Sequence, residues 1–549
     1  MTAPSTLWDA MERAAATAGR LTLLSDGATR EAIPYADLRT RALARASALA
    51  AHGVVPGDRV VLVAATTSEV VADFFALLRL GAIPSPQAPP APFGDLGDYA
   101  ERLAATAAYL GARCVIAPAP VREDLARRLD GAPVLAPPSD GDPELAPSHC
   151  ARPSDVAFIQ CTSGSTGHPK GVVLGHDNVL ANVEQIAAAL GITPADRVVS
   201  WLPLHHDMGL VGCLVLSVCL GLDLSLLPPH LFLRRPSCWL QAVSSERATL
   251  SPAPNFAYSY AAARVSEPEA AALDLASWRV ALCGAEPIDA RVLRAFAARF
   301  APHGLRADAL TPCYGLAEAT LAVTFHGMTS PVEVDRLDRA ALASAGIALL
   351  VPEDVPGIDV VSSGRPLPGT EVKIVDRHGA TLPEARAGRV QVRGPSVMRG
   401  YFELPRESRD TLRDGWLDTG DEGYLRGGAL FLTGRVKDVI IIRGRNHPPT
   451  DFEWAAQEVP GVRRGGVVAF GLGDEAEGTE ALYLVCETEV DAGAHEALAR
   501  DVRARVLAHT SVCPREVVLV PKGFVPKTSS GKLQRRKARE LYVQSHPAC

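Results

Sequence analysis

No CxxC pair and no Cys/His grouping with metal-ligand spacing occurs in the chain, although it holds 11 cysteines. An odd, scattered set argues against a disulfide framework and a structural zinc site, and predicts buried thiols in a reducing compartment. A charged-then-apolar leader is also lacking, because MTAPSTLWDAMERAAATAGR carries acidic residues early. Long hydrophobic runs are missing. The most apolar stretch, Met208 to Leu222, is broken by glycines and stops at Asp223. It is shorter than the roughly 20 residues of a membrane span, so it reads as core. A basic excess is absent as well, with a net charge of −7, which opposes a dedicated nucleic-acid binder. No internal repeat or low-complexity tract is found. These absences predict a cytoplasmic protein that binds no nucleic acid and has no membrane span.

What is present is the material of a large globular enzyme. At 549 residues the chain exceeds one ordinary core, so two or more domains are expected. A hydrophobic content of 47% with 21% charged residues is that of a folded chain. Short β-branched runs alternate with amphipathic, alanine- and arginine-rich stretches. DRVVLVAA (58–65), RCVIAP (113–118) and DVAFIQCT (155–162) read as strands. SEVVADFFALLRLGA (68–82), YAERLAATAAYLGA (99–112) and HDNVLANVEQIAAALGI (176–192) read as helices. The alternation predicts an α/β architecture with mainly parallel sheet. The segment SPQAPPAPF (85–93) predicts a rigid surface loop. From about residue 370 short strands follow one another through glycine turns, which predicts a β subdomain. A smaller α+β unit should begin near Val436, giving a large domain over 1–435 and a small one over 436–549.

One stretch carries phosphate chemistry on its face. TSGSTGHPK (162–170) supplies Gly164 and Gly167, which let the backbone bend and turn several N–H groups toward one anion. Thr162, Ser163, Ser165 and Thr166 add hydroxyl donors and Lys170 a point charge. A strand before it and a helix soon after suit an anion site. The Walker loop needs its lysine directly after the second glycine, so GSTGHPK opposes a kinase or GTPase. Taken alone, the stretch is equally well a Ser/Gly-rich turn.

Further motifs fall in order along the chain: YGLAE (314–318), LDTGD (417–421), GRVKD (434–438) and KTSSGK (527–532). With FIQCTSGSTGHPKGVVLGHDNV the set resembles the acyl-adenylate-forming ligases, a superfamily of acyl-CoA synthetases, peptide-synthetase adenylation domains and luciferases. LRLGAIPSPQAPP, WLPLHHDMGLVG, SPAPNFAYSY, PCYGLAEATLAV, GRNHPPTDFE and VPKTSSGKLQRRKARELY are similar, within it, to the fatty acyl-AMP ligases. The resemblance spans about residues 60–545. It implies a large N-terminal domain of α/β subdomains plus a β subdomain, and a small mobile α+β C-terminal domain.

The resemblance also implies roles. Glu318 would help hold the Mg2+ that bridges the ATP phosphates, for which a carboxylate is a suitable hard ligand. Tyr314 and Gly315, with Gly284, Ala285 and Glu286 of GAEPI, would line the adenine pocket, although packing is an alternative for any one of them. Asp421 would accept hydrogen bonds from the ribose hydroxyls. Arg435 would meet the ribose or phosphate side, or only form an ion pair. His206, selected over His205 by the HxxG spacing, would stand near the reacting carboxylate. Lys532 would bridge the carboxylate and the α-phosphate, two anions whose approach is otherwise opposed. The plain alternative is that RRK beside it marks a solvated basic tail. Lys437 would be the hinge about which the small domain turns between adenylation and acyl transfer.

Acyl-AMP then meets a thiol. The stretch VDRLDRAALASAGIALLVPEDVPGIDVVSSG resembles the extra segment of the acyl-AMP ligases, which restrains domain movement. This favours the phosphopantetheine of a separate holo-acyl carrier protein, of the polyketide or peptide synthase type, over CoA. A fatty acyl-CoA synthetase is the alternative. No DSL-type carrier motif occurs in the chain. Pro448 and Glu422 depart from the family pattern near the small domain. The expected reagents are ATP, Mg2+ and a fatty acid.

Overall fold

The computed structural model describes residues 4–25, 29–90, 95–128, 133–135, 141–162, 169–328, 330–442, 445–474, 479–528 and 532–546. The chain groups into two compact units. The first holds residues 1–332, 364–371 and 392–417, and the second 333–363, 372–391 and 418–549.

The first unit is built on mainly parallel sheets. Ile83–Gln87, Arg59–Val63, Cys114–Ile116 and Val134–Leu135 line up in that order, all parallel. In a second sheet Arg20–Ser25, Asp223–Leu226 and Arg197–Ser200 run parallel, and Thr29–Pro34 closes one edge antiparallel. A third orders Ala253–Pro254, Ala281–Gly284, Leu310–Gly315, Ala322–Phe325 and Arg365–Pro366. Strands buried on both faces need helices beside them, and the helices have the composition for it. Ser68–Arg79 buries Val71, Phe74, Phe75 and Leu78, and Thr67 caps it by accepting from the Val70 N–H at 3.3 Å. The apolar run from Met208 is core, as its composition implies: it forms Asp207–Gly209, a π-helical stretch Leu210–Val215 and helix Leu216–Leu220.

Two sequence expectations are corrected here. The proline-rich segment does not begin as a surface loop, because Ser85 and Pro86 are buried in strand Ile83–Gln87. The Ile83 N–H donates to the Asp58 carbonyl and the Ala64 N–H to the Gln87 carbonyl, at 2.7 and 2.8 Å. That register turns the nitrogens of Pro84 and Pro86 away from Arg59–Val63, to the side where no strand is paired by ladder bonds, so a missing N–H costs none. The later part, 91–94, lies outside the described residues. The thiols are also not all buried. Ten described cysteines are free, but Cys150 and Cys513 are exposed, both in stretches without regular structure.

In the second unit the strand segments 372–375, 388–391, 418–426 and 429–435 are neighbours in that order. A hairpin of Val334–Leu337 and Ile358–Val361 packs Leu337 and Val360 against Tyr424 and Phe431. Further along, Val462–Asp474, Thr479–Thr488 and Glu516–Pro521 form a three-stranded sheet. Its period-2 alternation is apolar on both faces. Val467, Ala469, Leu482 and Leu484 meet Phe452, Leu498 and Val502 on one side. Val468, Phe470, Tyr483 and Val485 meet Val525, Ala538 and Tyr542 on the other. The protein is thus of the α/β class, with its parallel strands mostly in the first unit and antiparallel pairs prominent in the second.

Candidate active site

The phosphate-loop segment sits in a hairpin, which revises the strand-then-helix expectation. Val156–Thr162 pairs antiparallel with a second strand, Lys170–Gly175, and only then does helix His176–Leu190 begin. The β-branched run GVVLG extends the sheet because Val172 and Leu174 are buried. Thr162 and Lys170 are register partners that close the hairpin, with the Thr162 hydroxyl 3.4 Å from the Lys170 carbonyl. Ser163, Gly164, Ser165, Thr166 and Gly167 lie outside the described residues.

Lys170 and Glu318 are joined by a residue that the motif reading missed, Tyr401. The Lys170 ammonium lies 4.6 Å from the Tyr401 ring centroid, and the Tyr401 hydroxyl donates to Glu318 Oε1 at 2.9 Å. Tyr401 reaches this position because Gly400–Tyr401 pairs with Val172 and Val173 of the returning strand. The segment 396–401 also wraps the turn that carries Glu318. The Ser396 carbonyl accepts from the Thr320 hydroxyl at 2.6 Å, and the Met398 N–H donates to the Glu318 carbonyl at 2.8 Å. The tetrapeptide MRGY (398–401) was the available signal, but nothing local announces that it folds onto YGLAE. Buried Asn182 fixes the other side, exchanging two 2.9 Å bonds with the backbone of Ala322.

Glu318 suits the implied Mg2+. Among the described residues no group of three or more His, Cys, Asp or Glu could hold a metal. A single carboxylate fits an ion that keeps its waters and binds through one or two carboxylates plus substrate phosphates.

The implied adenine segments stand on adjacent strands, Ala281–Gly284 and Leu310–Gly315. A Cβ on Gly315 would lie 1.8 Å from the Leu321 carbonyl oxygen, so the bulge between Tyr314 and Gly315 requires glycine. Ala285 holds a left-handed φ of 67°, as does Thr320 at 68°. Such backbone is costly for a residue with a Cβ and is retained where surroundings over-determine it. Glu286 Oε1 accepts from the Phe256 N–H at 2.5 Å and so caps helix Asn255–Arg264. Its side chain thereby has a structural occupation. Tyr314 is buried.

His206 precedes helix Asp207–Gly209 as its N-cap. Its Nδ1 lies 2.6 Å from Asp207 Oδ1, and that oxygen also accepts from the Met208 N–H at 2.7 Å. Desolvation, then the neighbouring His206, push the His205 ring down to about 3. The Gln160 amide pins the His205 carbonyl at 2.7 Å.

In the second unit, TGD and GRVKD face each other. Asp421 and Arg435 are register partners, and the Arg435 Nε donates to Asp421 Oδ1 at 2.9 Å. The ion pair left open from the sequence is therefore formed. Thr419 steadies it, accepting from the Asp421 N–H at 3.1 Å while donating to the Val390 carbonyl at 3.0 Å. Burial pushes the neighbouring Glu422 carboxyl up, with Arg389 opposing. Lys437 follows in the turn where Asp438 and Val439 both donate to the Arg435 carbonyl. Pro448 caps helix Pro449–Gln457.

Lys532 closes a small ladder. Its carbonyl accepts from Thr528 N at 2.8 Å, its N–H donates to the Thr528 hydroxyl at 3.0 Å, and Lys527 bridges Leu533. Residues 529–531 lie outside the described residues. The RRK run beyond is not all solvated tail, because Arg535 is held by Glu453 and Asp438.

The fold and these motifs define an acyl-adenylate-forming enzyme. A family profile described as AMP-binding enzyme matches residues 11–402, and the chain belongs to that family, with the fatty acyl-AMP ligases as its type. A Caulobacter vibrioides protein named as an acyl-CoA synthetase is 37% identical over 523 residues, covering 93% of this chain and 91% of its own. The Moorena producens medium-chain-fatty-acid–[acyl-carrier-protein] ligase JamA is 37% identical over 407 residues, covering 71% and 68%. A solved structure from work on the fatty acyl-adenylate ligases of E. coli and L. pneumophila superposes with a TM-score of 0.92, at 34% identity and 99% coverage of both chains.

Proposed function

We propose that this enzyme activates a medium- or long-chain fatty acid with ATP and passes the acyl group to the phosphopantetheine thiol of a separate holo-acyl carrier protein. In the first step a carboxylate oxygen of the acid attacks the α-phosphorus, the bond to the bridging oxygen breaks, and pyrophosphate leaves. In the second, the thiol sulfur attacks the acyl carbonyl and AMP leaves as its electrons return to phosphate. The observation that carries the reading is the Lys170–Tyr401–Glu318 chain, a cation and a carboxylate held by one tyrosine beside the phosphate-loop hairpin.

Within this reading Thr162, Lys170 and the loop between them take the departing phosphates. Glu318 holds Mg2+, which supplies charge neutralisation on the phosphate oxygens. Asp421, oriented by Arg435 and Thr419, accepts from the ribose. Tyr314, Gly315 and Gly284–Glu286 flank the adenine, and His206 stands at the acid. Lys532 stabilises charge that grows as the two anions meet. Lys437 is the hinge, with 436–549 as the body that turns. A cytoplasmic setting, where thiols stay reduced, suits this chemistry.

CoA as acceptor is the second reading, favoured by the name of the Caulobacter relative. Pyrophosphate release measured across a fatty-acid panel tests the first step, and its independence from added acid would sink the ligase reading. Adding CoA or holo-carrier protein to the accumulated acyl-AMP separates the acceptors. Lys532→Ala is expected to lower adenylation by at least about 100-fold, the scale of losing one preorganised charge at a transition state. Folding and ATP binding should persist; retained adenylation would refute the assignment.

A further inference from the structure

Arg535 stands three residues beyond Lys532, and three residues of chain span at most about 11 Å. Its guanidinium is 18% exposed and makes three charge-assisted bonds. Nε and Nη2 fork onto the two oxygens of Glu453 at 2.7 Å each, and Nη1 donates to Asp438 Oδ2 at 3.0 Å. Burial opposes the charge on Arg535, but Glu453 and then Asp438 more than offset it and raise its pKa.

The two carboxylates lie on different parts of the unit. Glu453 belongs to helix Pro449–Gln457 and is 3% exposed, and its Oε1 also accepts from the Ala469 N–H of the central strand at 3.2 Å. That contact is structural. Asp438 directly follows Lys437, the proposed hinge, and is 29% exposed.

Between Arg535 and Lys532 the chain has little slack. Gln534 N–H donates to the Pro526 carbonyl at 2.9 Å, Lys527 bridges Leu533, and Thr528 and Lys532 bond twice. The entry to this ladder is pinned as well, since buried Glu487 Oε1 accepts from the N–H groups of Gly523 and Val525 at 2.9 and 3.0 Å.

We propose that Arg535 is a positioning residue whose ion pair with Asp438 joins the stem of the Lys532 loop to the residue after the hinge, so that rotation at Lys437 carries Lys532 with it as one body. Without the pair, the φ/ψ change at the hinge is absorbed by local flexing, and the ammonium arrives off its mark. Displacement of about 1 Å costs on the order of 100-fold in a reaction that depends on placement. The inference rests on the assignments of Lys532 and Lys437 made above.

The test separates the two half-reactions. Asp438→Ala cuts the hinge link and leaves the Glu453 fork in place. It is expected to lower kcat for acid-dependent pyrophosphate release by about 10- to 100-fold. KM for ATP and acid should stay within about threefold, and so should acyl transfer from synthetic acyl-AMP to the wild-type acceptor, the usual tolerance of an untouched step. Asp438→Glu should recover most of the loss, and melting curves of Asp438→Asn cover the case in which the alanine variant folds poorly. Wild-type adenylation in both Asp438→Ala and Asp438→Asn, an equal fall in both half-reactions, or a loss carried by KM overturns the proposal. Lys532→Ala measured alongside keeps the two claims apart. If it still adenylates, the lysine assignment falls and the link with it. If it is inactive while Asp438→Ala is not, the link alone falls.

Discussion

Tyr401 earns attention at the scale of single residues because one side chain serves two charged neighbours. Its ring lies against the Lys170 ammonium, and its hydroxyl occupies one oxygen of Glu318. Tyr401→Phe keeps the ring and removes the hydrogen bond, so Lys170 stays seated while Glu318 is released. A hydrogen bond to a charged group is worth about 1.5–3 kcal/mol. We therefore expect adenylation to fall by about 10-fold or more and its half-saturating Mg2+ concentration to rise. An unchanged Mg2+ titration would show that Tyr401 does not orient the proposed metal ligand, Glu318. The sequence motifs nominate Glu318 through YGLAE, Asp421 through LDTGD and Lys532 through KTSSGK, each by resemblance. Tyr401 and Arg535 were not legible, because each acts on a partner 83 or 82 residues away in the chain. No local pattern encodes such a pairing.

Among the elements, the hairpin Val156–Gly175 and the helix that follows it show how local and distant order meet. The helix His176–Leu190 reads directly from its periodicity and ends where Gly191 takes a φ of 53°. Its first residue does something the periodicity does not foretell. His176 is buried, and its Nδ1 accepts from the Leu7 N–H at 3.2 Å, tying helix Leu7–Ala14 to the start of this helix. Burial pushes the His176 pKa down to about 4, against the carboxylates of Asp155, Asp9 and Asp177. A depressed histidine binds its proton in the unfolded chain first, near pH 6.5, and in the folded chain only near pH 4. Its neutral form therefore supports folding fully above pH 6.5, and that support is lost as pH falls from 6.5 toward 4. The limit is about 1.4 kcal/mol per pH unit for one such group. Denaturant titrations at pH 7, 6 and 5 should show this decline, and His176→Asn should flatten it. An unaltered slope in the variant would locate the acid sensitivity elsewhere, with His205 and His447, pushed down to about 3 and about 4 by burial, next in line.

For the whole molecule, length and composition point to more than one unit. Which segments make up each unit was not readable, because the second one gathers residues 333–363 and 372–391 with the C-terminal stretch. Within that unit the segment after YGLAE is held by charge. Arg339, at the start of helix Arg339–Ala345, pairs with Asp451 of helix Pro449–Gln457 and lies 3.3 Å from His509 Nε2 of helix His495–Thr510. Burial raises the Asp451 pKa, with Arg339 the first group to oppose it. The pair is half-buried, and removing one partner leaves the other charge poorly compensated, at a cost below the several kcal/mol of a fully buried pair. Arg339→Ala should therefore speed amide exchange in 339–345 and 449–457 while leaving the first unit's protection intact. Unchanged exchange in both helices would mean that apolar packing alone holds the segment.

The sequence by itself determined the α/β class, the order of the motifs and the chemical type of each implied site residue. Those depend on hydrophobic period, on glycine and hydroxyl content, and on charge, all of which are local properties of the chain. Only the tertiary structure decided that Pro84 and Pro86 lie on a buried edge strand. It also decided that the phosphate-loop segment joins two antiparallel strands, that Arg435 is spent on Asp421, and that Arg535 is anchored instead of solvated. Each of these depends on which distant backbone or carboxylate folding brings within about 3 Å, the range over which hydrogen bonds and close ion pairs act. Separation along the chain leaves no trace of that distance.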